Sequence, residues 1–352
     1  MDIPTLEGIT PNTITSDRLT TRVLFSGPEG GQPVLFLHGN ASSATWWEEA
    51  MTTLPAGFRG IAPDQRGYGS ADPQKKIDAT RGMGDLAEDA MALLNSLDID
   101  RAHVVGSSLG GVVVWRLMMD YADRLLTVTQ VAPGSPYGFG GTKDVAGTPC
   151  YEDYAGSGAG LINPEFVQRI ASGYRSLEAP VSPRAALRSL VFKPGFIPER
   201  EDAIVEALLS MHLGEQAYPG DAVPSPNWPF TAPGVWGPNN ALSPKYLTDV
   251  ERLYQTTHKP PVLWIRGADD LTVSDTAAAD PGALGAAGVI PGWPGMDVYP
   301  PQPMLAQTRA VLERYGASGG SYQEVVLEDC AHAPYIEKVA AFNEAFHAHV
   351  DG

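Results

Sequence analysis

Short apolar runs alternate with amphipathic stretches along the chain. The runs TTRVLF, PVLFLHG, FRGIAPD, RAHVVGS, LLTVTQVAP, PVLWIRG and EVVLEDC have the length and the β-branched content of strands. Helical periodicity appears between several of them, in WWEEAMTTLP, DLAEDAMALLNSL and the run that follows HVVGSSLGG. Alternating strands and helices are typical of a parallel sheet that is covered on both faces. The pattern therefore predicts an α/β fold with a mainly parallel, doubly wound sheet, to which the segment before TTRVLF adds an antiparallel edge.

The alternation breaks between residues 136 and 258. This stretch is rich in Pro, Gly and aromatic residues, and it holds helix-like runs at NPEFVQRIASGY, SPRAALRSLVF and REDAIVEALLSMHL. We expect it to form a largely helical cap over the carboxyl edge of the sheet, where ligands bind in open α/β sheets. A second domain packed elsewhere is the alternative. The core is accordingly expected to span residues 1–135 and 259–352, on either side of the cap.

A second irregular stretch, rich in Pro and Gly, runs from residue 275 to residue 303 within the core. Loops of this length are uncommon inside compact domains unless they are functional or disordered. Trp293 and Tyr299 indicate that the loop packs on something, either the rim of a pocket or a second subunit. A homo-oligomer is therefore left open.

Composition excludes several classes of function. The chain has 24 Lys and Arg residues against 41 Asp and Glu residues, a net charge of -17. Such a surface repels phosphate backbones and argues against binding to nucleic acid. No apolar run approaches the ~20 residues of a membrane span. Cys150 and Cys330 lie far apart with no metal-ligand spacing, so we expect two free thiols, no metal, no cofactor and a cytoplasmic location.

The run HVVGSSLGG carries the first candidate chemistry. Its spacing, with Gly106 and Gly110 on either side of Ser108, is G-x-S-x-G, which is typical of a strand-turn-helix elbow that exposes a nucleophilic serine. Glycines at these positions let the strand and the helix approach closely. Ser107 is expected to point into the fold. The motif predicts Ser108 as a nucleophile, provided that a base and an acid lie elsewhere in the chain.

One histidine and one aspartate fit those roles. His332 follows the strand EVVLEDC in a short turn, which places it at the carboxyl edge where Ser108 also emerges. Asp270 follows the strand PVLWIRG, and its neighbour Asp269 is the alternative acid. The resulting order of Ser108, Asp270 and His332 is the serine-acid-histidine order of this architecture.

A tetrahedral intermediate also needs two backbone N–H donors for its oxyanion. Leu109, which follows the nucleophile, supplies one. We assign the second to Asn40, in the loop after the strand PVLFLHG. His38 precedes it and is expected to brace this loop rather than to act in catalysis.

The chain resembles the α/β-hydrolase superfamily, specifically its capped serine hydrolases. The matching stretches are LHGNASSATWW, PDQRGYGSADP, VVGSSLGG, IRGADDLTV and AHAPYIEKVAAFN. The resemblance implies that Asp64 and Arg66 pin loops beneath the site. Two departures are Ala71, where a serine is common, and the long loop after Asp270.

The predicted function is hydrolysis of a carboxylic ester or lactone through an acyl-enzyme. Relatives that open epoxides or displace halide attack with an aspartate, and Ser108 stands in that position here. A cofactor-free hydrolase of carbon–carbon bonds with the same triad is the second interpretation, and a ligand receptor on a hydrolase frame is the third. The aromatic cap favours an apolar small-molecule substrate, and we expect Trp228 and Trp236 to contact it.

Overall fold

The computed structural model describes residues 3–352. Its centre is an eight-stranded sheet with the strand order β1-β2-β4-β3-β5-β6-β11-β12. The strands of the chain are β1 (Thr10–Thr15), β2 (Thr20–Ser26), β3 (Gln32–Leu37), β4 (Phe58–Pro63), β5 (Ala102–Ser107), β6 (Leu125–Val131), β7 (Leu213–Gly214), β8 (Tyr218–Pro219), β9 (Ala222–Pro224), β10 (Thr231–Pro233), β11 (Val262–Gly267) and β12 (Tyr322–Leu327). All seven predicted strands are present in this sheet.

Helices flank the sheet and fill the region between β6 and β11. They are α1 (Glu48–Thr52), α2 (Gly84–Ser96), α3 (Leu109–Asp120), α4 (Pro164–Ala171), α5 (Pro183–Ala186), α6 (Glu201–Leu209), α7 (Pro238–Ala241), α8 (Arg252–Gln255), α9 (Pro281–Ala286), α10 (Met304–Ala317), α11 (Pro334–Glu337) and α12 (Val339–Asp351). A π-helical turn at Leu187–Val191 continues α5.

The sheet is parallel from β4 to β12, and its other edge is antiparallel. β1 pairs antiparallel with β2, and β2 pairs antiparallel with β4. Two clusters of buried apolar side chains cover its two faces. The α/β class, the mainly parallel sheet and the antiparallel edge predicted from the sequence are confirmed.

The turn between β5 and α3 brings the helix unusually close to the sheet. A Cβ atom on Gly110 would lie 2.1 Å from the carbonyl oxygen of Leu37, and one on Gly106 would lie 2.4 Å from that of Gly110. Only residues without a side chain permit this approach. The two glycines therefore set how far the start of α3 stands from the ends of β3 and β5.

The insertion, by which we mean the residues between β6 and β11, contains α4 to α8 and two small two-stranded sheets. Its helices are short, and the three predicted ones correspond to α4, α5 with its π turn, and α6. The boundaries of a separate cap at residues 136 and 258 stay a prediction.

The long loop of residues 275–303 packs on the insertion. Tyr299 is fully buried, and its hydroxyl donates to the carbonyl oxygens of Ala155 at 3.3 Å and Gly156 at 3.0 Å. Trp293 donates through Nε1 to the carbonyl oxygen of Tyr299 at 2.8 Å. The loop therefore packs on the insertion of the same chain, and a contact with a second subunit stays a prediction.

Candidate active site

Ser108 lies at the turn between β5 and α3. Its backbone has φ 54° and ψ -117°, a conformation that residues with a side chain rarely adopt. The strain persists because the glycine contacts on both sides of the turn and a hydrogen bond from its N–H to the carbonyl oxygen of Val131, at 3.1 Å, hold the backbone. A strained, fixed backbone is what a serine nucleophile on an elbow requires.

The two other predicted catalytic residues contact each other. Nδ1 of His332 lies 2.8 Å from Oδ2 of Asp270, and both side chains are almost fully buried. The other carboxylate oxygen of Asp270 accepts hydrogen bonds from the N–H groups of Thr272, at 2.7 Å, and Val273, at 3.0 Å. The carboxylate is an acceptor throughout, so it holds the proton of His332 on Nδ1 and leaves Nε2 free to act as a base.

Asp269 has a different environment. Its side chain is 47% exposed and forms an ion pair with Nζ of Lys193 at 2.9 Å. Of the two carboxylates that the sequence left as alternatives, Asp270 is therefore the one that contacts His332.

The main cavity brings Ser108 and His332 together. Both residues line it, as do Asn40 and Leu109. Within residues 3–352, the backbone N–H groups of Asn40 and Leu109 donate to no protein acceptor. Two unused N–H donors beside a serine are the arrangement that an oxyanion hole needs.

His38 is buried directly beneath the loop that carries Asn40. Its Nδ1 lies 2.8 Å from the carbonyl oxygen of Gly39, and its Nε2 accepts a hydrogen bond from the N–H of Gln65 at 3.0 Å. Burial lowers the pKa of His38 to about 4, because the charged imidazolium would be cut off from water. A neutral histidine therefore braces this loop, as the sequence predicts.

The motif DQRGYG ties neighbouring loops together. Asp64 is fully buried and accepts hydrogen bonds from the N–H groups of Ala44, at 3.0 Å, and Ser70, at 2.9 Å. Arg66 makes a bidentate ion pair with Asp89, with both distances 2.7 Å. These contacts fit the pinning role that the family resemblance implies.

The cavity has a volume of about 300 Å³ and a largely apolar wall. The insertion supplies half of the lining residues, among them Phe139, Phe166, Leu187, Leu190, Val191 and Leu208. Across the described chain, none of the side chains that line this cavity belongs to Lys, Arg, Asp or Glu. The site can therefore accept an apolar, uncharged molecule without burying an unpaired charge.

The tryptophans expected to contact substrate lie elsewhere. Neither Trp228 nor Trp236 lines the cavity. Trp228 instead donates through Nε1 to the carbonyl oxygen of Pro291 at 2.9 Å and packs edge-on against Tyr299 at a centroid distance of 4.9 Å. The expectation failed because aromatic content marks apolar packing without saying which surface is packed.

Tyr218 and Asn239 are polar residues of the cavity wall that the sequence did not predict. They lie in the two-residue strand β8 and the one-turn helix α7 of the insertion, and no spacing signal identifies them. Ser107, by contrast, is buried as expected, and it hydrogen-bonds the Tyr335 side chain.

Two negative findings concern the described chain. Residues 3–352 contain no group of three or more His, Cys, Asp or Glu side chains that could hold a metal ion. None of the described helices is both long and apolar enough to cross a membrane. Cys150 and Cys330 are both unpaired thiols.

Comparison with known proteins finds a matching family model and a set of relatives. A family model described as alpha/beta hydrolase fold matches residues 32–148, which include Asn40, Ser108 and Leu109. The AB hydrolase superfamily protein YfhM of Bacillus subtilis is 31% identical over 127 residues, 35% of this chain and 44% of that protein. Epoxide hydrolase A of Mycobacterium tuberculosis is 32% identical over 124 residues, 35% of this chain and 38% of that protein. The chain thus spans less than half the length of these curated relatives.

Solved structures match over nearly the whole chain. The carboxylesterase CesB of Bacillus subtilis has a TM-score of 0.55 and 15% identity, over 97% of this chain and 91% of that one. The 2-hydroxy-6-oxo-6-phenylhexa-2,4-dienoate hydrolase of Rhodococcus sp. strain RHA1 has a TM-score of 0.58 and 18% identity, over 98% of this chain and 99% of that one. At these identities the likeness concerns the fold alone.

Proposed function

We propose that this chain, which has the α/β-hydrolase fold, is a member of the α/β-hydrolase superfamily that hydrolyses a carboxylic ester or lactone through Ser108, His332 and Asp270. The observation that carries the proposal is the shared cavity: Ser108 sits on a strained elbow in its wall, and the same wall holds His332, whose Nδ1 contacts Asp270. This arrangement supports nucleophilic catalysis by the serine.

The reaction has two halves. Nε2 of His332 takes the proton from Oγ of Ser108, which attacks the ester carbonyl and forms a C–O bond. The N–H groups of Asn40 and Leu109 stabilise the oxyanion, and His332 returns the proton to the leaving alcohol as the old C–O bond breaks. Water, deprotonated by His332, then attacks the acyl-enzyme, and the acid leaves as Ser108 recovers its proton.

The cavity wall favours a neutral, apolar substrate. Apolar side chains from the insertion surround Ser108, and no cation lines the cavity within residues 3–352. Burying a carboxylate there without a partner would be costly. We therefore expect uncharged esters or lactones to be preferred over substrates with a free acid group.

Hydrolysis of a carbon–carbon bond is the second candidate, because a dienoate hydrolase is among the structures with this fold. A dienoate carries a carboxylate, and the cavity of this chain offers it no Lys or Arg side chain within the described residues. Epoxide opening, named for one relative, is disfavoured on chemical grounds. Attack by Ser108 on an epoxide would leave an ether, which water does not cleave as it cleaves an ester.

Active-site labelling and a substrate panel test the proposal. A fluorophosphonate probe should label Ser108, identified by peptide mass spectrometry, because only an activated serine reacts readily. Ser107→Ala is the matched control and should still be labelled, whereas Ser108→Ala should not. Esters, lactones, amides and a dienoate are then compared by kcat/KM.

Rapid multiple turnover of esters or lactones is the expected result. Labelling that persists in Ser108→Ala would overturn the choice of nucleophile. Faster turnover of the dienoate than of any ester would favour the carbon–carbon hydrolase. A single slow turnover with a lasting adduct would favour a receptor.

A further inference from the structure

A series of side-chain hydrogen bonds runs from the loop of Asn40 into the insertion. Oδ1 of Asn40 accepts from the N–H of Ala41 at 3.0 Å and from the hydroxyl of Tyr68 at 2.8 Å. Its Nδ2 donates to Oδ1 of Asn239 at 2.7 Å. The N–H of Ala41 can only donate, so it fixes the orientation of the Asn40 amide, and Asn40 in turn fixes that of Asn239.

The side-chain amide of Asn239 has an N–H donor that no protein group uses. Nδ2 of Asn239 is buried and makes no hydrogen bond of standard geometry within residues 3–352. It lies near the hydroxyl of Tyr218: burial raises the pKa of Tyr218, and the Asn239 amide opposes that rise. The Tyr218 phenol therefore stays protonated at neutral pH and can use its own O–H as a donor.

Tyr218 differs from the other hydroxyl-bearing residues of the cavity wall. The hydroxyl of Ser42 donates to the carbonyl oxygen of Gly39 at 2.9 Å, and that of Thr272 donates to the carbonyl oxygen of Leu190 at 2.8 Å. The hydroxyl of Tyr335 lies beside that of Ser107, which can accept as well as donate. Tyr218 is 4% exposed. Its hydroxyl has no acceptor within residues 3–352, and the Asn239 amide beside it presents an N–H group, which cannot accept. Tyr218 is thus a buried donor without an acceptor of its own.

We propose that Tyr218, positioned by Asn239, is a specificity-determining residue whose hydroxyl donates a hydrogen bond to a second oxygen of the substrate, beyond the ester group that reacts. The inference rests on the proposed function. The reacting carbonyl oxygen is already bound by Asn40 and Leu109, and the leaving oxygen faces His332. The substrate class is therefore a neutral ester or lactone with a further ether, hydroxyl or carbonyl oxygen.

The physical reason is the asymmetry between making and losing a buried hydrogen bond. A substrate that places a methylene against the Tyr218 hydroxyl displaces water from it and leaves the donor unpaired. A substrate of the same shape with an oxygen there keeps the donor paired. Such a hydrogen bond should favour the oxygen-containing substrate by roughly tenfold in kcat/KM.

Matched pairs of esters test this directly. Each pair has the same chain length, with a methylene replaced by an ether oxygen at the third, fourth or fifth position, in the acyl part or in the alcohol part. Acid release is followed by titration, and each rate is divided by the rate of hydroxide hydrolysis of the same ester. The measured quantity is the ratio of kcat/KM within each pair, for the wild type, Tyr218→Phe and Asn239→Leu.

The control variant is Tyr246→Phe. Tyr246 also lies in the insertion, and its hydroxyl donates to the carbonyl oxygen of Gly234 at 2.7 Å, but it does not line the cavity. We expect a ratio near ten at one oxygen position in the wild type and in Tyr246→Phe, and a ratio near one in Tyr218→Phe and Asn239→Leu.

Two other outcomes distinguish failure of the inference about Tyr218 from failure of the proposed function. Ester turnover with the same ratios in the wild type and Tyr218→Phe at every position would overturn the inference and leave the proposed function intact. If the wild type hydrolyses no member of any pair, the proposed function itself fails and the inference fails with it.

Discussion

The two walls of the cavity are built in different ways. On the core side, Ser108, Asp270 and His332 follow the ends of the parallel strands β5, β11 and β12, and hydrogen bonds with fixed donors hold the acid and the base. On the insertion side, short helices and a π-helical turn present apolar side chains, some of them partly exposed, such as Leu190. Directional bonds fix positions to fractions of an ångström, whereas apolar contact is non-directional. The first wall suits chemistry and the second suits substrate selection.

The two walls are joined beside His332, in addition to the hydrogen bond between Asn40 and Asn239. The N–H of His332 donates to the carbonyl oxygen of Val191 at 2.9 Å, in the π-helical turn of the insertion. Nearby, Lys193 forms ion pairs with Asp269 and Asp329, which lie in the loops that follow β11 and β12. The insertion therefore contacts the same two loops that carry the acid and the base, and the separation of roles is not absolute.

Of the changes predicted here, removing the charge of Asp270, in the core wall, should lower kcat the most. Asp270→Asn keeps the shape of the side chain, but its amide can donate towards Nδ1 of His332 and so favour the wrong tautomer. By analogy with other triads, kcat should fall by about 10⁴-fold. Steady-state hydrolysis of a small activated ester, which barely touches the insertion, measures this loss.

Asp269→Asn is the matched control for that change. Asp269 is the neighbouring carboxylate, it is exposed, and it contacts Lys193 rather than His332. Its kcat should stay within about tenfold of the wild type, since exposed ion pairs contribute little. A larger loss in Asp269→Asn than in Asp270→Asn would reverse the assignment of the acid.

The core wall could be predicted from the sequence because each of its residues is tied to a local signal. The glycines around Ser108 mark a turn that no other residue type permits, and strand ends place Asp270 and His332 at one edge. The choice between Asp269 and Asp270 needed the structure, because successive residues after a strand point in different directions.

The insertion could be predicted only as a region. Its helix-like runs correspond to α4, α5 and α6, but the residues that face Ser108 come from loops and helix faces whose orientation depends on tertiary packing. The same limit explains why Trp228 and Trp236, which we expected to contact substrate, do not line the cavity. Polar residues such as Tyr218 and Asn239 escape prediction because a single buried tyrosine or asparagine in a strand of two residues or a helix of one turn has no recognisable pattern.

A fall in pH should lower the free energy of unfolding, because two buried histidines of the core resist protonation. Burial lowers the pKa of His38 and of His103, each to about 4, from an unfolded value of 6.5. In both cases the folded pKa lies below the unfolded one, so the stabilisation is present above pH 6.5 and is lost as the pH falls towards 4. For the fully buried His38 the loss should approach about 3 kcal/mol.

Urea unfolding between pH 7 and pH 4 measures this dependence. His38→Asn should reduce the decrease in the free energy of unfolding over that range, and His103→Asn should act in the same direction. His38 follows β3 and His103 lies in β5, and the two hydrogen-bond different partners, so the double variant should show the sum of both changes. An unchanged pH dependence in both single variants would mean that neither histidine is held neutral by burial.

The smallest expected effect concerns the insertion wall. Phe166, on α4, lines the cavity, whereas Phe196 is equally half-buried but packs on Phe192 outside it. Phe166→Ala removes apolar surface from the surroundings of the substrate. Each Å² of apolar substrate surface that then stays in water costs ~25 cal/mol of binding free energy. The value of kcat/KM for a bulky ester should therefore fall by about tenfold. Hydrolysis of an acetate ester, which is held mainly by the core wall, should change much less. Phe196→Ala should leave the ratio of the two esters unchanged, because any loss of folded protein lowers both rates alike. Equal losses on both esters in Phe166→Ala would show that the insertion supports the fold instead of selecting the substrate, and the division between the two walls would then not hold.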